Sequence, residues 1–196
     1  MNICIYCGSK VGTNPQYTAA AVQVGRTIAE RGWGLVYGGG NIGLMGIVAR
    51  TALEQGAYVT GIIPTFLVTR EVALDSCSEL IEVPSMHTRK QLMIDRSDLL
   101  LALPGGFGTL DELFEALTWS QVGLHTKPLG LLNIGGYYNP LLSMIHSMRA
   151  EGFVQESHAL LLEVSDDVEI LLDVLAEMKK ADGALSTDGH DNLLRA

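Results

Sequence analysis

Short, nearly unbroken apolar runs alternate along this chain with longer stretches in which apolar residues return every three or four positions. The runs predict strands at Asn2–Tyr6, Leu35–Tyr37, Tyr58–Ile63, Leu80–Val83, Leu99–Leu103, Leu129–Asn133 and Leu161–Val164. Their continuous hydrophobicity is that of strands covered on both faces. The helical spacing predicts helices at Tyr17–Arg31, Leu44–Gln55, Thr88–Ser97, Leu110–Val122, Pro140–Glu151 and Asp167–Lys180. Regular alternation of this kind calls for right-handed crossovers and an α/β fold: a doubly wound, Rossmann-like parallel sheet with helices on both faces. Ligands in such a fold sit beyond the carboxyl ends of the strands.

No shift in composition interrupts residues 1–180, which read as one domain. From Ala181 the sequence turns polar and rich in turn formers, so 181–196 is expected to be a mobile tail. A chain of 196 residues is long enough to bury a full core. The formal net charge of −9 argues against nonspecific nucleic-acid binding, which needs a basic surface, so any phosphate site must be local. Met1–Tyr6 begins directly with a strand pattern rather than a signal peptide. No apolar run reaches the roughly 18 residues of a membrane span. The expectation is a soluble cytoplasmic protein. Cys4 and Cys7 form a C-x-x-C spacing, but an odd separation along a strand sends the two thiols to opposite faces, so they are read as reduced and inert.

Two glycine loops follow predicted strands. In the first, Gly38, Gly40 and Gly43 match G-x-G-x-x-G, yet the next strand ends Gly61-Ile62-Ile63-Pro64-Thr65 without the acidic residue that recognises the ribose of a dinucleotide. A mononucleotide or phosphorylated sugar fits better, the alternative being a tight turn without ligand. The second, Pro104-Gly105-Gly106-Phe107-Gly108-Thr109-Leu110-Asp111-Glu112, is more specific. Its glycines let the backbone approach a phosphate, Thr109 can cap the following helix, and the free amides of the first turn face an anion. It lacks the Gly-Lys-Ser/Thr ending of an ATP-hydrolysing loop. Asp111 and Glu112 are then either catalytic acids or complements to the helix dipole.

A third feature is Met86-His87-Thr88-Arg89-Lys90, which opens a helix that also carries Arg96. Solvated surface charge is the usual explanation for such residues. A helix that starts beyond a strand's carboxyl end can nonetheless bring Arg89 to a phosphate, a ribose or Glu112. The sequence holds neither a G-x-S-x-G elbow nor an H-E-x-x-H pair, and its histidines are scattered, so metal dependence is not expected. Met93, Met144 and Trp119 read as core or subunit-contact residues.

On the Met86–Lys90 and Pro104–Glu112 motifs together, the chain resembles the Lonely Guy family, cytokinin riboside 5'-monophosphate phosphoribohydrolases long labelled possible lysine decarboxylases. The resemblance runs from about Ile3 to Leu175 and takes in Cys7-Gly8-Ser9, Tyr37-Gly38-Gly39-Gly40 and Thr118–Gly123; Asp111 stands where the family commonly has Glu. It implies that Arg89 and Glu112 are catalytic. It further implies that Glu71, Lys90, Gly106, Phe107, Gly108, Thr109, Leu110, Asp111 and Thr118 contact the nucleotide, with Gly39 of the first loop beside it. The implied substrate is AMP or an N6-modified adenosine 5'-monophosphate, cleaved at the bond between ribose and base. No metal or organic cofactor is implied, and the implied assembly is a homodimer with sites near the subunit boundary.

The residues suit that chemistry. Breaking an N-glycosidic bond develops positive charge on the ribose, which a carboxylate such as Glu112 stabilises while orienting water. Its place near a helix N-terminus should favour the ionised form. Arg89 can hold Glu112 and the ribose hydroxyls in register, and the glycine loops the 5'-phosphate. The group that protonates the departing base is left open between solvent and Asp111. A decarboxylase would need pyridoxal phosphate on a lysine, and Lys10, Lys90, Lys127, Lys179 and Lys180 offer no convincing anchor. The alternative from another class is a noncatalytic nucleotide carrier or sensor.

Overall fold

In the computed structural model, which describes residues 1–68 and 72–191, seven parallel strands form a single sheet in the order β4-β3-β2-β1-β5-β6-β7. The strands are β1 (Asn2–Tyr6), β2 (Gly34–Tyr37), β3 (Val59–Pro64), β4 (Glu79–Val83), β5 (Leu99–Ala102), β6 (Leu129–Leu132) and β7 (Leu162–Ser165). Each lies within about two residues of the position the hydrophobic runs predict. The helices are α1 (Pro15–Glu30), α2 (Gly43–Glu54), α3 (Met86–Asp95), α4 (Phe107–Gln121), α5 (Asn139–Ala150), the short α6 (Glu156–Ala159) and α7 (Val168–Asp191).

Alternation along the strands divides the core. Ile3, Ile5, Leu35, Tyr37, Leu99 and Leu101 pack under α1, α2 and α7. Cys4, Tyr6, Val36, Leu100 and Ala102 pack under α3, α4 and α5. Cys4 and Cys7 thus fall in different layers, and all three cysteines are free thiols. A fully buried leucine adds about 1.5–3 kcal/mol of hydrophobic stabilisation, and here that burial is available on both faces. Strand order reverses between β1 and β5, where loops leaving adjacent strands part to opposite sides and leave a crevice.

Several helix starts differ from the sequence pattern because side-chain caps and glycines extend them. Asn14 accepts from the Gln16 amide to begin α1, and Ser85 accepts from the Thr88 amide to begin α3. In α4 the helix opens at Phe107 with Gly106 as N-cap and no side-chain cap. Thr109 therefore lies inside the helix instead of capping it, buried against Gly105. Asp111 and Glu112 move into the second turn, where the pull of the helix dipole is weaker. At the other end, α7 runs past Lys180 to Asp191, where the sequence reads a tail. Gly183 and Gly189 each weaken a helix by about 1 kcal/mol but, unlike proline, keep their amide donors. The remainder of that tail, 192–196, lies outside the described residues. Among the described residues no helix is long and apolar enough to cross a membrane.

Candidate active site

The loop after β1, the loop after β5 and the first turns of α3 and α4 enclose a cavity of about 170 Å³. Arg89, Glu112, Gly106, Phe107, Gly108 and Thr109 all line it, so the two residues singled out as catalytic and the second glycine loop meet in one place. The first amides of α4 have no acceptor within the helix and no side-chain cap, which leaves them as donors for an anion at that end.

Arg89 is seated by backbone, not by solvent. Its Nη2 donates to the Gly38 carbonyl at 2.9 Å and its Nε to the Ile62 carbonyl at 3.2 Å, at the ends of β2 and β3. Only 4% of its surface is exposed, whereas Arg96, the C-cap of the same helix, is nearly half exposed and pairs with Glu79. The surface-charge explanation therefore holds for Arg96 alone. A buried guanidinium needs its donors satisfied, and the Gly38 and Ile62 carbonyls take two of them.

The first glycine loop serves both Arg89 and the loop after β1. The Leu44 and Met45 amides at the start of α2 donate to the Gly8 carbonyl, and Gly38 gives its carbonyl to Arg89. Two first-turn amides of α2 are thus engaged by the β1 loop. Gly39, at φ 79°, is turned against β3, where a Cβ would fall 2.9 Å from that of Ile63. It is not brought into the cavity with Arg89 and Glu112.

The remaining predicted residues form a second group on the outer side of α4. Lys90 Nζ pairs with Asp111 at 3.0 Å and with Glu115 at 3.1 Å, joining α3 to α4. Burial opposes the ammonium charge, but the hydrogen bonds to Asp111 and Glu115 outweigh it and move the Lys90 pKa up. Asp111, Leu110 and Thr118 line a separate open cavity of about 570 Å³ on this face, and Thr118 donates to the Phe114 carbonyl. Phe107 belongs to both groups and is 94% exposed. A residue seven positions on, about two helical turns, returns to the same face, which is why Asp111 and Thr118 go together while Glu112 does not. Glu71 lies outside the described residues.

Sequence reasoning passed over Cys7, Gly8, Ser9 and Met45 as lining residues of the Arg89–Glu112 cavity. The available signal was positional: Cys7-Gly8-Ser9 leaves β1 at the point where strand order reverses. Burial, with the nearby Glu112 charge adding to it, holds the Cys7 thiol well above its ordinary pKa, so it is protonated and a poor nucleophile. A larger adjoining cavity of about 350 Å³ shares Gly8, Ser9 and Gly106 and is walled by Lys10, Tyr17 and Tyr137. Among the described residues no lysine lines the Arg89–Glu112 cavity; Lys90 is ion-paired, and Lys127 donates to the Ile94 carbonyl. Among the described residues that wall therefore offers no lysine for a pyridoxal Schiff base.

Residues 45–175 match the family model described as possible lysine decarboxylase. A cytokinin riboside 5'-monophosphate phosphoribohydrolase of Oryza sativa subsp. japonica is 49% identical over 154 residues, 79% of this chain and 64% of that protein. One from Arabidopsis thaliana is 43% identical over 191 residues, covering 97% of this chain and 90% of the relative. Among solved structures, the Moco carrier protein of Chlamydomonas reinhardtii superposes with a TM-score of 0.69 at 24% identity, covering 90% and 96% of the two chains, a likeness of fold.

Proposed function

Because this chain belongs to the possible lysine decarboxylase family and, within it, to the cytokinin riboside 5'-monophosphate phosphoribohydrolases, we propose that it is an N-glycosidase acting on nucleotides. Its substrate is AMP or an N6-modified adenosine 5'-monophosphate, and its products are the free base and ribose 5-phosphate. The observation that supports this most directly is the joint lining of one cavity by Arg89, Glu112 and the uncapped start of α4. The α4 amides hold the 5'-phosphate. Glu112, about one turn further along the helix, then faces the ribose, where its carboxylate stabilises the developing oxocarbenium charge and orients the attacking water. Arg89 is fixed in advance by the Gly38 and Ile62 carbonyls, so it orders the site without reorganising during the reaction.

In this reading the working unit is a homodimer. Asp111 and Thr118 sit on the outer face of α4 beside the exposed Phe107 ring, with Lys90 of α3 paired to Asp111, and a second copy packed there would unite them with the nucleotide. Three unpaired thiols suit a reducing cytoplasm.

The test is chromatographic. Protein freed of metal is incubated with AMP and with isopentenyladenosine monophosphate, beside the Glu112→Gln variant. Release of base and ribose 5-phosphate by the parent, reduced at least about 100-fold in the variant, is the expected result. Binding of AMP without release, unchanged in Glu112→Gln, would instead make the protein a nucleotide carrier.

A further inference from the structure

The loop between β5 and α4 has its carbonyls held one after another. Leu103 O accepts from the Tyr138 hydroxyl at 2.6 Å, Pro104 O from the Gly8 amide at 3.1 Å, and Gly105 O from the Tyr137 hydroxyl. The two tyrosines are consecutive and come from the turn after β6, far away in sequence. That turn is itself tied down: Asn133 Oδ1 accepts the Tyr138 amide at 2.7 Å, and its Nδ2 donates to Asn139 at 2.8 Å. The rings brace each other edge to face, with centroids 4.8 Å apart, and Tyr17 meets Tyr137 edge to face at 5.6 Å.

In a planar trans peptide the carbonyl of one residue and the amide of the next point in opposite directions. Holding Gly105 O on Tyr137 therefore sets the Gly106 N–H, at the N-cap of α4 and on the wall of the Arg89–Glu112 cavity. The Gly105–Gly106 peptide has glycine on both sides and would otherwise flip at small cost, turning a carbonyl oxygen toward the anion. We infer that Tyr137, with Tyr138 anchoring the loop's start, is a positioning residue that presents the β5–α4 loop amides to the 5'-phosphate. The inference rests on the proposed nucleotide reading of that cavity.

The experiment compares calorimetric binding of AMP and of adenosine by the parent protein and Tyr137→Phe, with thermal unfolding and AMP hydrolysis measured on both. The phenyl ring keeps the packing against Tyr17 and Tyr138, and Tyr137 is 41% exposed, so the variant folds. AMP affinity is expected to fall about tenfold, with adenosine affinity within twofold and the unfolding midpoint within about 2 °C. In hydrolysis the same change appears as a raised KM at little-changed kcat. An equal loss for both ligands, or none for AMP, overturns the inference. A parent that hydrolyses AMP while Tyr137→Phe keeps the AMP-to-adenosine ratio retains the glycosidase reading and loses the clamp. A parent that prefers AMP but releases no base, and loses that preference in Tyr137→Phe, retains the clamp and loses the glycosidase.

Discussion

Arg89 occupies the space that a side chain on Gly38 would need: Nη2 lies 2.9 Å from the Gly38 carbonyl oxygen, and a Cβ added there would come within 2.0 Å of that nitrogen. Gly38→Ala should therefore displace the guanidinium without touching any residue of the proposed chemistry. The clashing atom is the end of a flexible side chain, so the protein is expected to fold. Loss of a charge-assisted hydrogen bond of about 1.5–3 kcal/mol predicts a rate at least tenfold lower. Arg89→Lys, which keeps the charge but not the fork of donors, should show a similar defect. A Gly38→Ala enzyme with the parent rate would show that Arg89 needs no fixed seat.

Lys90 offers a contrast between its two partners. Its own side chain is 10% exposed and that of Glu115 21%, but that of Asp111 is 58% exposed. Lys90→Met strands the Glu115 carboxylate, one oxygen of which already lacks a partner among the described residues. Denaturant unfolding should report a loss of about 2–3 kcal/mol for Lys90→Met, approaching the range for breaking a buried pair. Asp111→Asn, which removes only an exposed partner, should cost under about 1 kcal/mol. Equal losses would mean that the pairing with Glu115 is not the stronger of the two.

His125 gives the fold an acid-sensitive point. Burial lowers its pKa below the ordinary value, helped by the neighbouring Lys127 charge, and its Nδ1 accepts the Lys127 amide at 3.2 Å. The unfolded chain therefore binds this proton more readily than the folded one. Its contribution to stability is complete above about pH 6.5 and is lost as pH falls through the lower folded value. His125→Gln should flatten the fall in unfolding midpoint between pH 7 and pH 5. Parallel parent and variant curves over that range would remove His125 as the cause.

The thiols should divide by burial. Cys4 and Cys7 are buried and their pKa values are raised by that burial, Glu112 adding to both, while Cys77 is only half-buried beside the Tyr37 hydroxyl at 3.4 Å. A chromogenic disulfide reagent at pH 8 is expected to titrate at most one thiol rapidly in the native protein and all three after unfolding. Rapid reaction of two or three thiols in the native state would contradict this packing.

Periodicity by itself determined the parallel α/β sheet, because strands buried on both faces must be apolar throughout and the crossovers must be helical. It also determined the second glycine loop, since Gly105, Gly106 and Gly108 between a buried strand and an amphipathic helix leave few other conformations. What it could not determine was direction. Asp111 and Glu112 are neighbours in sequence, and the roughly 100° rotation per helical residue sends one to Lys90 and the other into the cavity with Arg89. The helices start at Met86, two residues before Thr88 in α3, and at Phe107, three before Leu110 in α4, as Ser85 and Gly106 show, and that offset settles which side chains face inward. The reversal of strand order between β1 and β5 brought Cys7, Gly8 and Ser9 to the site. The return of the chain after β6 brought Tyr137 and Tyr138 to the carbonyls beside Pro104. Such contacts join residues some thirty to a hundred positions apart, and only packing of the whole sheet decides them.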